Sequence, residues 1–89
     1  MFLHLGGSIT VPINDVIAII DIKSKKSKIT QEFLKTAAEE GFIEKTSEDS
    51  PKTIVVTEMN KKSRVFLSPI SSSTLYKRTG FIEDLSRAY

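Results

Sequence analysis

Residues 53–78 read TIVVTEMNKKSRVFLSPISSSTLYKR, and this stretch decides the fold. Thr53 to Thr57 is short, apolar and β-branched, the composition of a strand. Met59 to Ser63 follows as a turn, with Asn60 the residue best suited to positive φ. Arg64 to Ser68 returns as a second strand, and Pro69 breaks it. Ser71, Ser72 and Ser73 then offer a cap for a helix starting near Thr74, and Gly80 interrupts or ends that helix. The surface of this unit is basic. Lys61, Lys62, Arg64, Lys77 and Arg78, with Lys52 immediately before, face one acid, Glu58.

The segments before it extend the pattern. Phe2 to Leu5 is compatible with a strand, Gly6 to Ser8 suits a tight hairpin, and Ser8 to Val11 gives a second strand ending at Pro12. Asn14-Asp15 punctuates the chain again. Val16 to Ile22, VIAIIDI, is almost entirely apolar and β-branched, which predicts a central strand buried on both faces. Lys23 to Lys26 is a polar connection. Ser27 can cap a helix that runs to about Glu40, with Gly41 in the C′ position. Thr30 is the rival cap, because Ile29 and Leu34 would then form a hydrophobic staple. Ile29, Phe33, Leu34, Ala37 and Ala38 share one face at helical spacing. Phe42-Ile43 reads as a short strand or an apolar anchor. Thr46 to Pro51, TSEDSP, reads as a surface loop.

After Gly80, Phe81 to Tyr89 can form a final amphipathic turn or two as a C-terminal extension, with Ile82, Leu85 and Tyr89 on one side. The order β-β-β-α-β-β-α predicts a small α+β domain, with a mostly antiparallel sheet, one main helix and a short C-terminal helix.

Size and composition narrow the function classes. At 89 residues the chain makes one domain. With little core to bury, oligomerisation is an expected extra source of stability. The absence of cysteine excludes disulfides and Cys-based zinc or iron sites. No apolar run reaches the roughly 18 residues of a membrane span, and MFLHLGG lacks the basic start of a signal peptide. A cytosolic protein without membrane association is expected.

The net charge of +2 hides alternating blocks. Residues 22–35 carry five Lys and one Glu; residues 36–50 carry five acids and one Lys. Residues 51–78 carry six basic residues and one acid. Such blocks can steer a charged partner, or dock one copy against the next.

Little in the chain suggests catalysis. His4 is the single histidine, and without cysteine or paired acids it is read as an ordinary strand residue. The Ser71–Ser73 run lacks the flanking glycines of a nucleophile elbow and is read as helix capping. Gly6-Gly7 matches no phosphate-binding loop. No enzyme activity, cofactor, metal or small-molecule substrate is expected. The basic residues carry the functional signal instead. Lys61, Lys62 and Arg64 sit at a hairpin tip, where they can neutralise phosphates, and Lys52 stands where the hairpin begins. Lys25, Lys26 and Lys28, near a helix N-terminus, form a secondary basic patch.

Several landmarks occur in a fixed order: an opening F-x-x-L-G, an Asn-containing turn before VIAII, a capped helix, the strand IVV, and finally VFLSPISSSTLYKR. This set resembles the RemA/RemB family of bacterial extracellular matrix (biofilm) regulators. Through LSPISSSTLYKR it is most similar to the RemB branch. The resemblance covers residues 1–80, and implies a RemA/RemB-like regulatory domain there with 81–89 as an extension.

It further implies a cytosolic transcription regulator that binds double-stranded DNA as a homo-oligomer, in a ring-like assembly that displays repeated basic surfaces to bent or wrapped DNA. The match has gaps. Where RemA-type members carry an arginine after the Asn preceding the central strand, this chain has Asp15. Where they carry an arginine-rich stretch before IVV, it has SEDSPK, with Lys52 alone basic. DNA contacts are therefore expected at Lys52, Lys61, Lys62 and Arg64. The alternative is a protein-interaction or assembly module in the same pathway that does not grip DNA.

Overall fold

In a computed structural model of the chain, residues 1–23 and 28–80 are described. Strands β1 (Phe2–Gly6) and β2 (Ile9–Pro12) form an antiparallel hairpin that is a two-stranded sheet of its own. A single 3₁₀ turn, Ile13–Asp15, leads into β3 (Val16–Asp21). Helix α1 spans Lys28–Glu39 and is followed by β4 (Ile43–Lys45). Strands β5 (Thr53–Met59) and β6 (Lys62–Ser68) come next, then α2 (Ser72–Thr79). The main sheet has the order β3-β5-β6-β4, with β4 parallel to β6 and the other pairings antiparallel. The expected α+β class and mostly antiparallel sheet are observed. Phe42-Ile43 resolves as the start of an extra strand at Ile43.

Three layers result. Alternation along β5 sends Ile54 and Val56 to one face and Val55 to the other. Ile54 and Val65 pack with Ala37 of α1, joined by half-buried Leu34 and Ile43. Val55, Phe66 and Ile19 pack against Leu3, Leu5 and Val11 of the hairpin and Leu75 of α2. The second face holds the larger core. It is also tied by hydroxyls. Ser68 Oγ donates to the Leu5 carbonyl at 2.6 Å, and Thr53 Oγ1 to the Ile70 carbonyl at 2.6 Å. Tyr76 donates its hydroxyl to the Ile19 carbonyl at 2.6 Å. Each bond satisfies a polar group that the core would otherwise strand.

Three expectations are corrected. First, VIAII is not the central strand. It is β3, at the edge of the sheet, and the centre is occupied by β5, whose Ile54 and Val55 are fully buried. The register slips between Val16 and Ala18, and this bulge leaves Ile17 60% exposed. Second, the apolar stripe of α1 is only partly covered. Ala37 is buried and Leu34 half-buried, but Ala38 is exposed and Phe33 is 40% exposed. The three-residue β4 is too short to extend the sheet beneath the whole helix. Third, α2 begins at Ser72 rather than near Thr74. Ser71 is its N-cap and accepts from the Thr74 amide at 3.3 Å.

Helix α1 ends as expected at Gly41, where the Gly41 amide donates to Ala38 and the Phe42 amide to Ala37, a Schellman closure. Thr30 lies inside α1, so it is not the cap, and Ser27 lies outside the described residues. The 46–51 loop is not wholly at the surface. Thr46 is buried, and its hydroxyl donates to the Leu5 carbonyl at 2.9 Å. Gly7 lies so close to the Thr46 carbonyl that a side chain there has no room, which fixes the first hairpin against this loop. The expected amphipathic turns of 81–89 lie outside the described residues.

Candidate nucleic-acid interface

The β5–β6 turn is tighter than the sequence predicts. Met59 pairs with Lys62, leaving Asn60 and Lys61 as a two-residue loop. Both take positive φ, 52° and 66°. This is the loop length and handedness that the right-handed twist of paired strands favours. Asparagine tolerates that conformation, but the second position usually belongs to glycine. Here it holds a lysine, at a backbone cost of order 1 kcal/mol.

Lys61, Lys62 and Arg64 are all exposed at this tip. With Gly41, Phe42 and Ser63 they line an open cleft of about 480 Å³, and Glu40 is the carboxylate on its wall. Arg64 donates to Glu44 across 3.4 Å, with both side chains about half exposed. An ion pair so exposed contributes little to stability and is readily exchanged for another anion. No other ion pair is present among the described residues, which leaves Lys61 and Lys62 without a carboxylate partner.

Lys52 does not join this group. Thr53 pairs with Ser68 at the far end of the hairpin from Met59 and Lys62, and seven strand residues cover about 20 Å. Lys52 instead lines a separate cleft of about 300 Å³ with Lys23, Asp21, Ser71 and Ser72. Two backbone bonds hold it there, from the Ile22 amide to its carbonyl and from its own amide to Ser68. Asp21 reduces the local positive charge, accepting from the Lys23 amide at 2.8 Å and from Ser72 Oγ at 3.5 Å. Lys23 is the basic residue that the sequence placed in a bland connection; only the β3–β5 pairing brings it beside Lys52. Of the secondary patch, Lys28 is the exposed first residue of α1, while Lys25 and Lys26 lie outside the described residues.

His4 is an exposed strand residue whose Nε2 lies 2.9 Å from the Gly7 carbonyl. Among the described residues no group of histidine and carboxylate side chains is arranged to hold a metal ion. No described helix is long and apolar enough to cross a membrane. The outer edge of β3 pairs with no other strand among the described residues, though Tyr76 of α2 covers it at the Ile19 carbonyl, and Met1, Phe2 and Ile17 are the most exposed large apolar side chains among the described residues, at 96%, 70% and 60%.

Comparison with known proteins adds two findings. The family model described as "RemA-like: Extracellular matrix regulatory protein A-like" matches residues 2–79. The chain is also similar to Extracellular matrix regulatory protein B of Bacillus subtilis (strain 168). The two are 38% identical over 85 residues, which cover 96% of this chain and 98% of that protein.

Proposed function

The chain belongs to the RemA-like family of extracellular matrix regulatory proteins, and we propose that it regulates matrix genes in the cytosol by binding double-stranded DNA as a homo-oligomer. The observation that carries this is the turn at Asn60-Lys61. A lysine occupies a left-handed position where glycine is cheaper, and it places three cations at an exposed tip. In this reading Lys61, Lys62 and Arg64 contact phosphates, with Arg64 exchanging Glu44 for DNA. Lys52, beside Lys23, makes a second contact about a strand's length away.

Three or four phosphate contacts per subunit are weak alone. A ring-like assembly multiplies them, because each further subunit binds at high effective concentration. The part of the β3 edge that α2 does not cover, with exposed Ile17 and Phe2, is the surface offered to a neighbour.

Replacing Lys61, Lys62 and Arg64 together with Ala tests the DNA contact. Mobility shift with matrix-promoter duplex is expected to show weakened binding, while circular dichroism and the urea midpoint stay near wild type. Unchanged affinity would remove these residues from the interface. The same exposed apolar residues favour a second reading, an assembly module that does not grip DNA. An oligomer in light scattering that shifts no duplex even at low salt would select it.

A further inference from the structure

The cationic cleft does not end at Phe42. A smaller, largely apolar cleft of about 160 Å³ adjoins it, sharing Phe42 and Ser63 and lined by Phe33, Ala37, Val56 and Val65. Phe33 and Phe42 remain 40% and 42% exposed, so the pair forms a continuous groove between α1 and the hairpin. One end is apolar and the other carries Lys61, Lys62 and Arg64. Beside it, β4 pairs only with Val65, Phe66 and Leu67, which leaves the Lys62–Arg64 edge of β6 open among the described residues.

The chain itself contains a segment of matching chemistry. Residues 81–89, FIEDLSRAY, place Phe81-Ile82 directly before Glu83-Asp84, followed by Leu85. We propose that this groove receives residues 81–89 of a second copy of the chain, and that the segment and DNA compete for the Lys61–Arg64 cations. Phe81, Ile82 or Leu85 covers the Phe33–Phe42 surface, while Glu83 and Asp84 meet the cations.

A second copy is the occupant because of reach. Helix α2 packs on the hairpin face of the sheet, whereas the groove opens beside α1 on the other face. Nine residues extend at most about 30 Å. The molecule measures 29 and 28 Å across its shorter axes. A segment of the same copy has to round a sheet edge first, leaving fewer of its nine residues to lie in the groove. Docking between copies needs no such detour, and makes this one contact, distinct from the β3-edge contact of the DNA-bound assembly, exclusive with DNA at the same cations. The docking stands on the groove alone; the competition rests on the DNA-binding reading above.

The lack of native cysteine makes the test direct. Ser63→Cys and Leu85→Cys variants of the 89-residue chain are mixed under mild oxidation, with Thr10→Cys, exposed on β2, replacing Ser63→Cys as control. The Ser63/Leu85 heterodimer is expected at least about tenfold above the control, as effective concentration dictates. Equal yields would overturn the docking. Closure within one doubly substituted chain, without heterodimer in the mixture, would overturn the second copy as occupant.

Glu83→Gln with Asp84→Asn is expected to lower the yield and to tighten duplex binding about threefold or more. Promoter duplex is expected to suppress the cross-link. Duplex that binds yet leaves the yield unchanged would overturn the competition. If no duplex binds at all, the DNA reading fails by itself and the cross-link yield still decides the docking.

Discussion

Lys61 is where fold and function pull in different directions. Its φ of 66° is a glycine conformation, and the hairpin closes around it. Lys61→Gly removes that strain, offset in part by the greater freedom glycine gives the unfolded chain. Urea titration is expected to show a gain of roughly 0.5–1 kcal/mol. Mobility shift of the same variant is expected to show weaker DNA binding. A variant both more stable and equally tight on DNA would mean that the lysine serves nothing at the tip.

Asn60 was legible in the sequence because its tolerance of positive φ is a local property. Lys61 was not, because only the Met59–Lys62 pairing reveals how short the loop is. Lys52 was legible at the start of the hairpin, but its neighbour Lys23 was not, because only the β3–β5 pairing brings the two together. The start of a hairpin and its tip are close in sequence but a strand's length apart in space.

At the level of elements, the two helices are held very differently. Helix α2 is short, but Ser71 caps it, Gly80 closes it, and Leu75 is fully buried in the larger core. Helix α1 is longer, yet Ala37 is its one residue seen to be fully buried. Leu75→Ala is therefore expected to cost about 2–5 kcal/mol, as for other fully buried leucines. Leu34→Ala, at a half-buried site, is expected to cost distinctly less. Equal losses in urea titration would contradict the three-layer account.

The same contrast limits what periodicity reveals. Spacing found α1, and capping serines and glycines found α2 and the Gly41 stop, because these depend on neighbours in sequence. It could not reveal that Phe33 and Ala38 are left exposed, since that depends on where β4 ends. The apolar run VIAII was rightly a strand, but its place at the edge follows from β5 pairing on one side alone.

For the whole molecule, a strand edge left unpaired by any other strand among the described residues, beside exposed Ile17 and Phe2, is an unusual surface for a chain meant to stay single. Ile17→Glu places a charge on the bulge without touching the core. Light scattering is expected to show a smaller assembly, and DNA binding is expected to weaken with it, since avidity is lost. An unchanged assembly would move the subunit contact elsewhere.

The central claim is that the hairpin tip grips phosphate, and the salt dependence of binding tests it most directly. The 89-residue chain and its Lys61, Lys62, Arg64 triple alanine variant are titrated with promoter duplex between about 50 and 200 mM salt. Three phosphates neutralised per engaged subunit predict a logarithmic slope near −2.7 from that subunit's tip, and its loss in the variant. Identical slopes for the two proteins, or no binding by wild type at the lowest salt, would contradict it.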